Sequence, residues 1–249
     1  MSLPLSFKPS KNFDLTRLGR SNDGGYLVTI NTIMETETLI SFGILDDCSF
    51  ESDFQKRKVV DICCFDKINY QSYWKKRIYN DFGAALFNLN FPYFLNTLKR
   101  FFEFKKFFRQ KKNLLFNTFI KNESLKNLIE NQKPLFKKPF FLKIDIEGGE
   151  YRILDELIEH QKSICGLVIE FHDLDLNVQK IEKFIEKFNL ELTHIHPNNY
   201  SDTDKNRNPT VIEFTFEKRP SAKEGSNNLP NLLDQPCNPK KKEIELNFK

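Results

Sequence analysis

Long apolar runs are missing from this 249-residue chain. Its longest uncharged apolar stretches, such as 39–45 and 166–169, are strand-sized, whereas a membrane-spanning helix needs roughly 20 apolar residues. No spanning segment is therefore expected. Residues 1–9 lack a basic start followed by an apolar run and a small-residue cleavage site, so a secretory leader is not expected and the cytoplasm is the expected location. The cysteines are few and unpaired in pattern: Cys48, Cys63, Cys64, Cys165 and Cys237 include no C-x-x-C spacing, which leaves buried free thiols as their reading. Phosphate-cradling P-loops, G-x-S-x-G elbows and internal repeats are absent as well. Charge of one sign is scarce, because a formal net charge of +4 is small for this length. With no nucleic-acid motif beside it, no nucleic-acid partner is expected.

What the chain does contain is 39% hydrophobic and 29% charged residues, enough to bury the core of one large α/β domain. Short apolar segments at 38–43, 59–66, 140–146, 166–172, 190–196 and 211–217 read as strands. Between them, Ile153, Leu154, Leu157 and Ile158, then Ile181, Phe184, Ile185 and Phe188, fall at helical spacing. This alternation predicts a mainly parallel sheet covered by helices on both faces. The last two strands are joined by polar residues 197–209 without a helical period, so an antiparallel pair is expected there. Residues 1–219 are expected to form the folded domain, with a Phe- and Lys-rich helical insertion at about 69–138 that hides a weak strand at 86–91. Residues 220–249 hold four prolines and one aromatic residue and are expected to be a disordered tail.

Within the insertion, residues 99–112 (KRFFEFKKFFRQKK), opened by Lys99 and closed by Lys112, carry seven basic residues and one acidic residue. Phe101, Phe104, Phe107 and Phe108 can share one helical face. Such a face either lies on an anionic membrane surface or packs on the protein core.

In a parallel α/β sheet, ligands bind beyond the carboxyl ends of the strands. Polar residues follow several apolar runs here. Gly43 leads through Asp46 into a helix start, and Asp66 ends the next strand, where an acid can hold the two hydroxyls of a ribose. The string 141–151 (FLKIDIEGGEY) brings Asp145 and Glu147 to a Gly-Gly turn, where paired carboxylates can take a proton, bind a metal, or hold an ammonium or sulfonium group. Glu170 and His172 end the following strand, and His172 has the side chain whose unperturbed pKa lies nearest neutrality. His194, His196 and Asn198 repeat the theme one strand later, as candidates for substrate hydroxyls or a metal. Near the start, Asp23 and Gly24 sit in a polar, Gly-rich turn.

Taken together, residues 19–28 (GRSNDGGYLV), 40–54 (ISFGILDDCSFESDF), Phe65 with Asp66, 141–154 (FLKIDIEGGEYRIL) and 168–173 (VIEFHD) resemble methyltransferases of the FkbM type, in the class I S-adenosylmethionine-dependent fold. The resemblance covers residues 15–217. It implies a Rossmann-like, mostly parallel seven-stranded sheet with a final antiparallel strand. It also implies S-adenosylmethionine as cofactor, with Gly43, Asp46, Asp23 and Gly24 near its methionine part, Asp66 on the ribose, and Asp145 facing the methyl group and the acceptor. The implied reaction is O-methylation of a small-molecule or glycan acceptor, with His172 or Asp145 removing the hydroxyl proton and Glu147 and Glu170 beside them. A divalent metal remains open. A nucleotide-sugar or other Rossmann-like enzyme could use the same Gly43 and Asp66 placement, and a non-catalytic adaptor could retain the fold.

Overall fold

A computed structural model describes residues 2–118, 124–131 and 136–249. A two-stranded antiparallel hairpin comes first, β1 (Leu15–Gly19) and β2 (Gly25–Thr29), followed by α1 (Ile30–Glu35). The main sheet is built from β3 (Thr38–Phe42), β4 (Asp61–Phe65), β5 (Asn113–Phe116), β6 (Phe140–Ile144), β7 (Ile164–Phe171), β8 (Glu191–Pro197) and β9 (Ile212–Glu217). Its order is β5-β4-β3-β6-β7-β9-β8. The neighbours from β5 to β7 run parallel, while β9 is antiparallel to both β7 and β8. The expected α/β class and the antiparallel last pair are thus both present.

The strands are apolar on both sides because both sides are covered. Ile40 and Phe42 of β3, Cys63 and Phe65 of β4, and Leu142 of β6 belong to one core layer. That layer also takes residues from α5 (Leu125–Asn131), α6 (Leu154–His160) and α7 (Leu174–Lys187). The alternate residues Leu39, Ile62, Cys64 and Phe141 point into the second layer, against α1, α2 (Ser49–Arg57), α3 (Tyr70–Asn88) and α4 (Phe91–Phe108). Aromatic contacts tie the rows together: Phe65 stacks on Phe42 at 5.1 Å and on Phe116 at 4.7 Å, and Phe54 meets Phe141 edge-on at 5.2 Å. All five cysteines are buried and free.

Three local expectations are corrected. Residues 86–91 are not a strand: Leu86 to Asn88 complete α3, Leu89 closes it with φ +52°, and Phe91 opens α4. The extra strand is instead β5, four residues that extend the sheet beside β4. The Phe stripe of 99–112 is no free membrane face, since Phe104 and Phe107 are buried against α3, with the Phe104 ring 5.7 Å from Trp74 and 4.8 Å from Tyr70. No helix among the described residues is long and apolar enough to cross a membrane.

The third correction concerns 220–249, which is ordered as an irregular strap. Apolar burial is slight there, as composition predicted. Hydrogen bonds hold the strap instead: Asn22 N–H donates to Gln235 at 2.8 Å and its amide to the Pro236 carbonyl at 2.8 Å, while Asn199 Oδ1 accepts from Asn238 N–H at 2.6 Å. Phe248 pairs with Leu3 through a β-bridge, and Cys237 is only 1% exposed.

Candidate functional site

The polar strand ends converge at one edge of the sheet. Strand order reverses between β3 and β6, so the loops leaving these two strands flank the switch point at which α/β sheets bind ligands. They are also in direct contact. Asp145 N–H donates to the Phe42 carbonyl at 3.1 Å, and a Cβ on Gly43 would overlap the Asp145 carbonyl oxygen. At φ +74°, Gly43 adopts the left-handed conformation that glycine reaches without strain.

The loop after β3 is pinned on two sides. Asp66 Oδ2 accepts hydrogen bonds from Leu45 N–H at 2.9 Å and from the Tyr70 hydroxyl at 3.1 Å. Asp46, 5% exposed, is held by Arg77 of α3 and by Arg100 of α4, the latter at 2.7 Å. Asp46 is therefore engaged by two guanidinium groups, which tie the loop to α3 and α4. Asp47 meets Arg20 at 2.7 Å beneath the β1–β2 turn, where Gly24, at φ +81°, lets the backbone close over the Asp47 carboxylate. Asp23 lies in the same turn, and burial together with the charge of Glu213 raises its pKa.

The acidic string after β6 converges with His172, though by a turn and not by strand pleating. The strand ends at Ile144, and Glu147 at φ +52° and Gly148 at φ +84° fold the chain back. Asp145, Glu147 and His172 then present ligand atoms within 4.8 Å of one another, a set able to hold a divalent ion. Glu147 is the open member, 3.5 Å from His172 Nε2.

Glu150 organises this turn. Fully buried, its Oε1 accepts from Ile146 N–H at 3.1 Å and Gly148 N–H at 3.2 Å, and lies 3.1 Å from His172 Nδ1. Tyr151 hydrogen-bonds the His172 carbonyl at 2.5 Å, fixing the ring from the backbone side.

His172 and Asp145, the two residues expected to take a proton, stand in this one group and shift each other's titration. Burial lowers the His172 pKa, but the Glu150 hydrogen bond and the charges of Glu170, Glu150 and Asp145 outweigh it and hold the value up at about 9. Burial raises Asp145 to about 6, against the lowering charges of Lys143 and His172. Glu170 is pushed well above the usual carboxylate range by burial and by the charges of Asp145 and Glu213, and its Oε1 accepts from the Asn198 amide at 2.7 Å.

His194 and His196 do not join this group. His194 Nε2 pairs with Asp234 of the C-terminal strap at 3.1 Å, and His196 Nδ1 pairs with Glu213 at 3.2 Å. Sequence reasoning missed Glu150 as the hub, and it missed Lys143 and Glu51. Lys143 is buried with its Nζ 5.5 Å from the Tyr26 ring, and Glu51 is fully buried, its pKa raised by burial against the lowering charge of Lys143 and a Ser41 hydrogen bond. The one signal for Lys143 was its charge in the middle of an otherwise apolar strand.

No protein-family model matches the sequence, and no curated protein matches it in sequence. Solved structures do match in shape. A putative RNA methyltransferase from Pyrococcus horikoshii is 10% identical over 76% of this chain and 77% of its own, with a TM-score of 0.39. A 23S rRNA methyltransferase gives 8%, 79% and 69%, with a TM-score of 0.43. A precorrin-6y C5,15-methyltransferase from Geobacter metallireducens gives 13%, 76% and 85%, with a TM-score of 0.40. The seven-stranded order with its antiparallel β9 bears out the expected mostly parallel α/β sheet. The expectation of no nucleic-acid partner is corrected by these matches, because several of the neighbours are named RNA methyltransferases, and the exclusion does not stand.

Proposed function

We propose that this chain is an S-adenosylmethionine-dependent methyltransferase of the FkbM type that methylates a hydroxyl group on a sugar, glycan precursor or comparable small metabolite. The observation that carries the reading is Asp145, its backbone locked against Gly43 at the switch point and its carboxylate grouped with Glu147 and His172. The residues present fit the cofactor. Asp66 Oδ2 is taken by Leu45 and Tyr70, which leaves Oδ1 to accept from the ribose hydroxyls. The acids Asp23, Asp145 and Glu147 suit a ligand bearing sulfonium and ammonium charge.

When bound, the cofactor supplies an activated methyl group on a sulfonium centre. The chain's own task is to bind, orient and deprotonate. Asp145 accepts the hydroxyl proton as the new bond forms, and His172 stabilises the Asp145 carboxylate before transfer. Glu150 and Tyr151 fix the ring through Nδ1 and the backbone carbonyl. Glu170 and Asn198, hydrogen-bonded to each other at 2.7 Å, offer further hydrogen bonds to hydroxyls of the acceptor.

Calorimetric titration with S-adenosylmethionine and S-adenosylhomocysteine, beside NAD and a nucleotide-sugar, tests the cofactor. Both sulfur compounds should bind, and Asp66→Ala should weaken them at least about tenfold, near 1.4 kcal/mol. Binding of NAD or a nucleotide-sugar alone would overturn the class. Radiolabelled methyl transfer to panels of glycans, small polyols, amines and RNA then tests the acceptor; label on amines would overturn the hydroxyl assignment, and label on RNA in preference to sugars and polyols would overturn the small-metabolite assignment.

A further inference from the structure

A second cluster lies at the same sheet edge, outside the proposed methyl-transfer residues. His196 ends β8, Glu213 begins β9, and Cys237 comes from the C-terminal strap. All three are buried, and they present one ligand atom each within 4.8 Å of one another. His196 Nδ1 is 3.2 Å from Glu213 Oε2 and 3.9 Å from Cys237 Sγ, and Sγ is 4.0 Å from Glu213 Oε1.

We propose that His196, Glu213 and Cys237 form a binding site for a zinc-like divalent ion that staples the C-terminal strap to the sheet edge. Nitrogen, sulfur and carboxylate oxygen are the three donor types zinc takes, and bonds of roughly 2.0–2.3 Å imply tetrahedral ligand-to-ligand edges of about 3.3–3.7 Å. The Nδ1–Oε2 and Nδ1–Sγ separations lie within a few tenths of an ångström of those edges, and one atom from each residue lies within 4.8 Å of the others, a gap that side-chain rotations close. The outer shell is in place: with Nδ1 facing the ion, Nε2 carries the ring proton, and Glu243 Oε2 stands 3.6 Å from it. A carboxylate behind a metal-binding histidine fixes the tautomer and raises its basicity.

Binding releases the Cys237 thiol proton to solvent, leaving a thiolate, a neutral imidazole and a carboxylate on the ion, with a water completing the fourth position. The ion would add to the hydrogen bonds that already hold the strap at Asn22, His194 and Asn199. The strap would then stand as a fixed wall behind Asn198 and Glu170.

The test uses the untagged full chain, isolated with zinc and exchanged to Co2+. Metal analysis of desalted protein should find one ion per chain, and the cobalt form should show a sulfur-to-cobalt charge-transfer band. Cys237→Ser should lose the band and His196→Asn the ion. Cys48→Ser, another buried thiol, and Glu147→Gln, in the separate Asp145 group, should keep both. Folded wild-type protein that shows no such band, or a band that survives in Cys237→Ser, overturns the proposal. The wild-type measurement decides even where a variant fails to fold.

Discussion

Replacing Gly43 with alanine is the sharpest perturbation this structure offers. The new Cβ would overlap the Asp145 carbonyl oxygen and lie 2.8 Å from its carbonyl carbon, inside the 3.0 Å that real Cβ contacts keep. The obstacle is backbone held by hydrogen bonds to both strands, so no flexible side chain can move aside. A left-handed conformation costs a residue with a Cβ roughly 1–2 kcal/mol, and overpacking adds about 1–3 kcal/mol. The expected loss is about 2–5 kcal/mol, which for a domain of this size lowers Tm by roughly 4–20 °C. S-adenosylmethionine affinity should fall with it, because the displaced atoms belong to both ligand-binding loops. Gly83 supplies the matched control: it lies in α3 with nothing within 4 Å of an added Cβ, and Gly83→Ala should stabilise by about 0.5–1 kcal/mol through helix propensity. Urea unfolding monitored by Trp74 fluorescence, with cofactor titration of each variant, reads both. Equal unfolding midpoints for Gly43→Ala and wild type, with unchanged cofactor affinity, would refute the contact argument.

Two further outcomes follow from buried ionisable groups. The pH profile of kcat/KM should be bell-shaped, rising as Asp145 ionises through about 6 and falling as the His172 imidazolium deprotonates through about 9; an alkaline limb unchanged in His172→Asn would contradict the assignment. For stability the two signs agree: His172 contributes below its ordinary 6.5 and loses that contribution through about 9, and Asp145 contributes below its ordinary 3.8 and loses it through about 6. Glu217, fully buried with Oε1 accepting from Thr29 N–H at 2.8 Å, is raised by burial from 4.5 to about 7. Its contribution is complete below 4.5 and lost as pH rises through 7, so wild type should lose about 3 kcal/mol relative to Glu217→Gln between pH 4.5 and 8. Denaturant midpoints of both proteins at the two pH values that remain in constant proportion would count against this.

The sheet was legible because its strands are short, apolar and bounded by polar turns, and the acids after β4 and β6 stand where ligand-binding side chains stand in any such sheet. The insertion was harder. Phe87 and Leu89 are exposed at the tip of the α3–α4 hairpin, so apolar residues on its outer faces blur the helical period and suggest a strand at 86–91. Contacts between remote positions left no local trace. Glu150 has no local signal, because only the Gly148 turn brings its carboxylate within 3.1 Å of His172 Nδ1, and Cys237 reads only as one more buried thiol because His196 and Glu213 are its neighbours in space and not along the chain. The strap of 220–249 looks disordered by composition since its order comes from side-chain amides and backbone carbonyls, which cost the sequence no hydrophobic residues.

The clamp on Asp46 bears on how this molecule could be re-engineered. An insertion between two strands is ordinarily a module that can be shortened or exchanged. Here each helix of the α3–α4 hairpin sends one arginine into the loop after β3, and Tyr70 at the start of α3 bonds Asp66. A replacement hairpin of similar length but different chemistry would leave the Asp46 carboxylate buried without a counter-charge, so substrate-range redesign through this insertion has to carry Tyr70, Arg77 and Arg100 along with it.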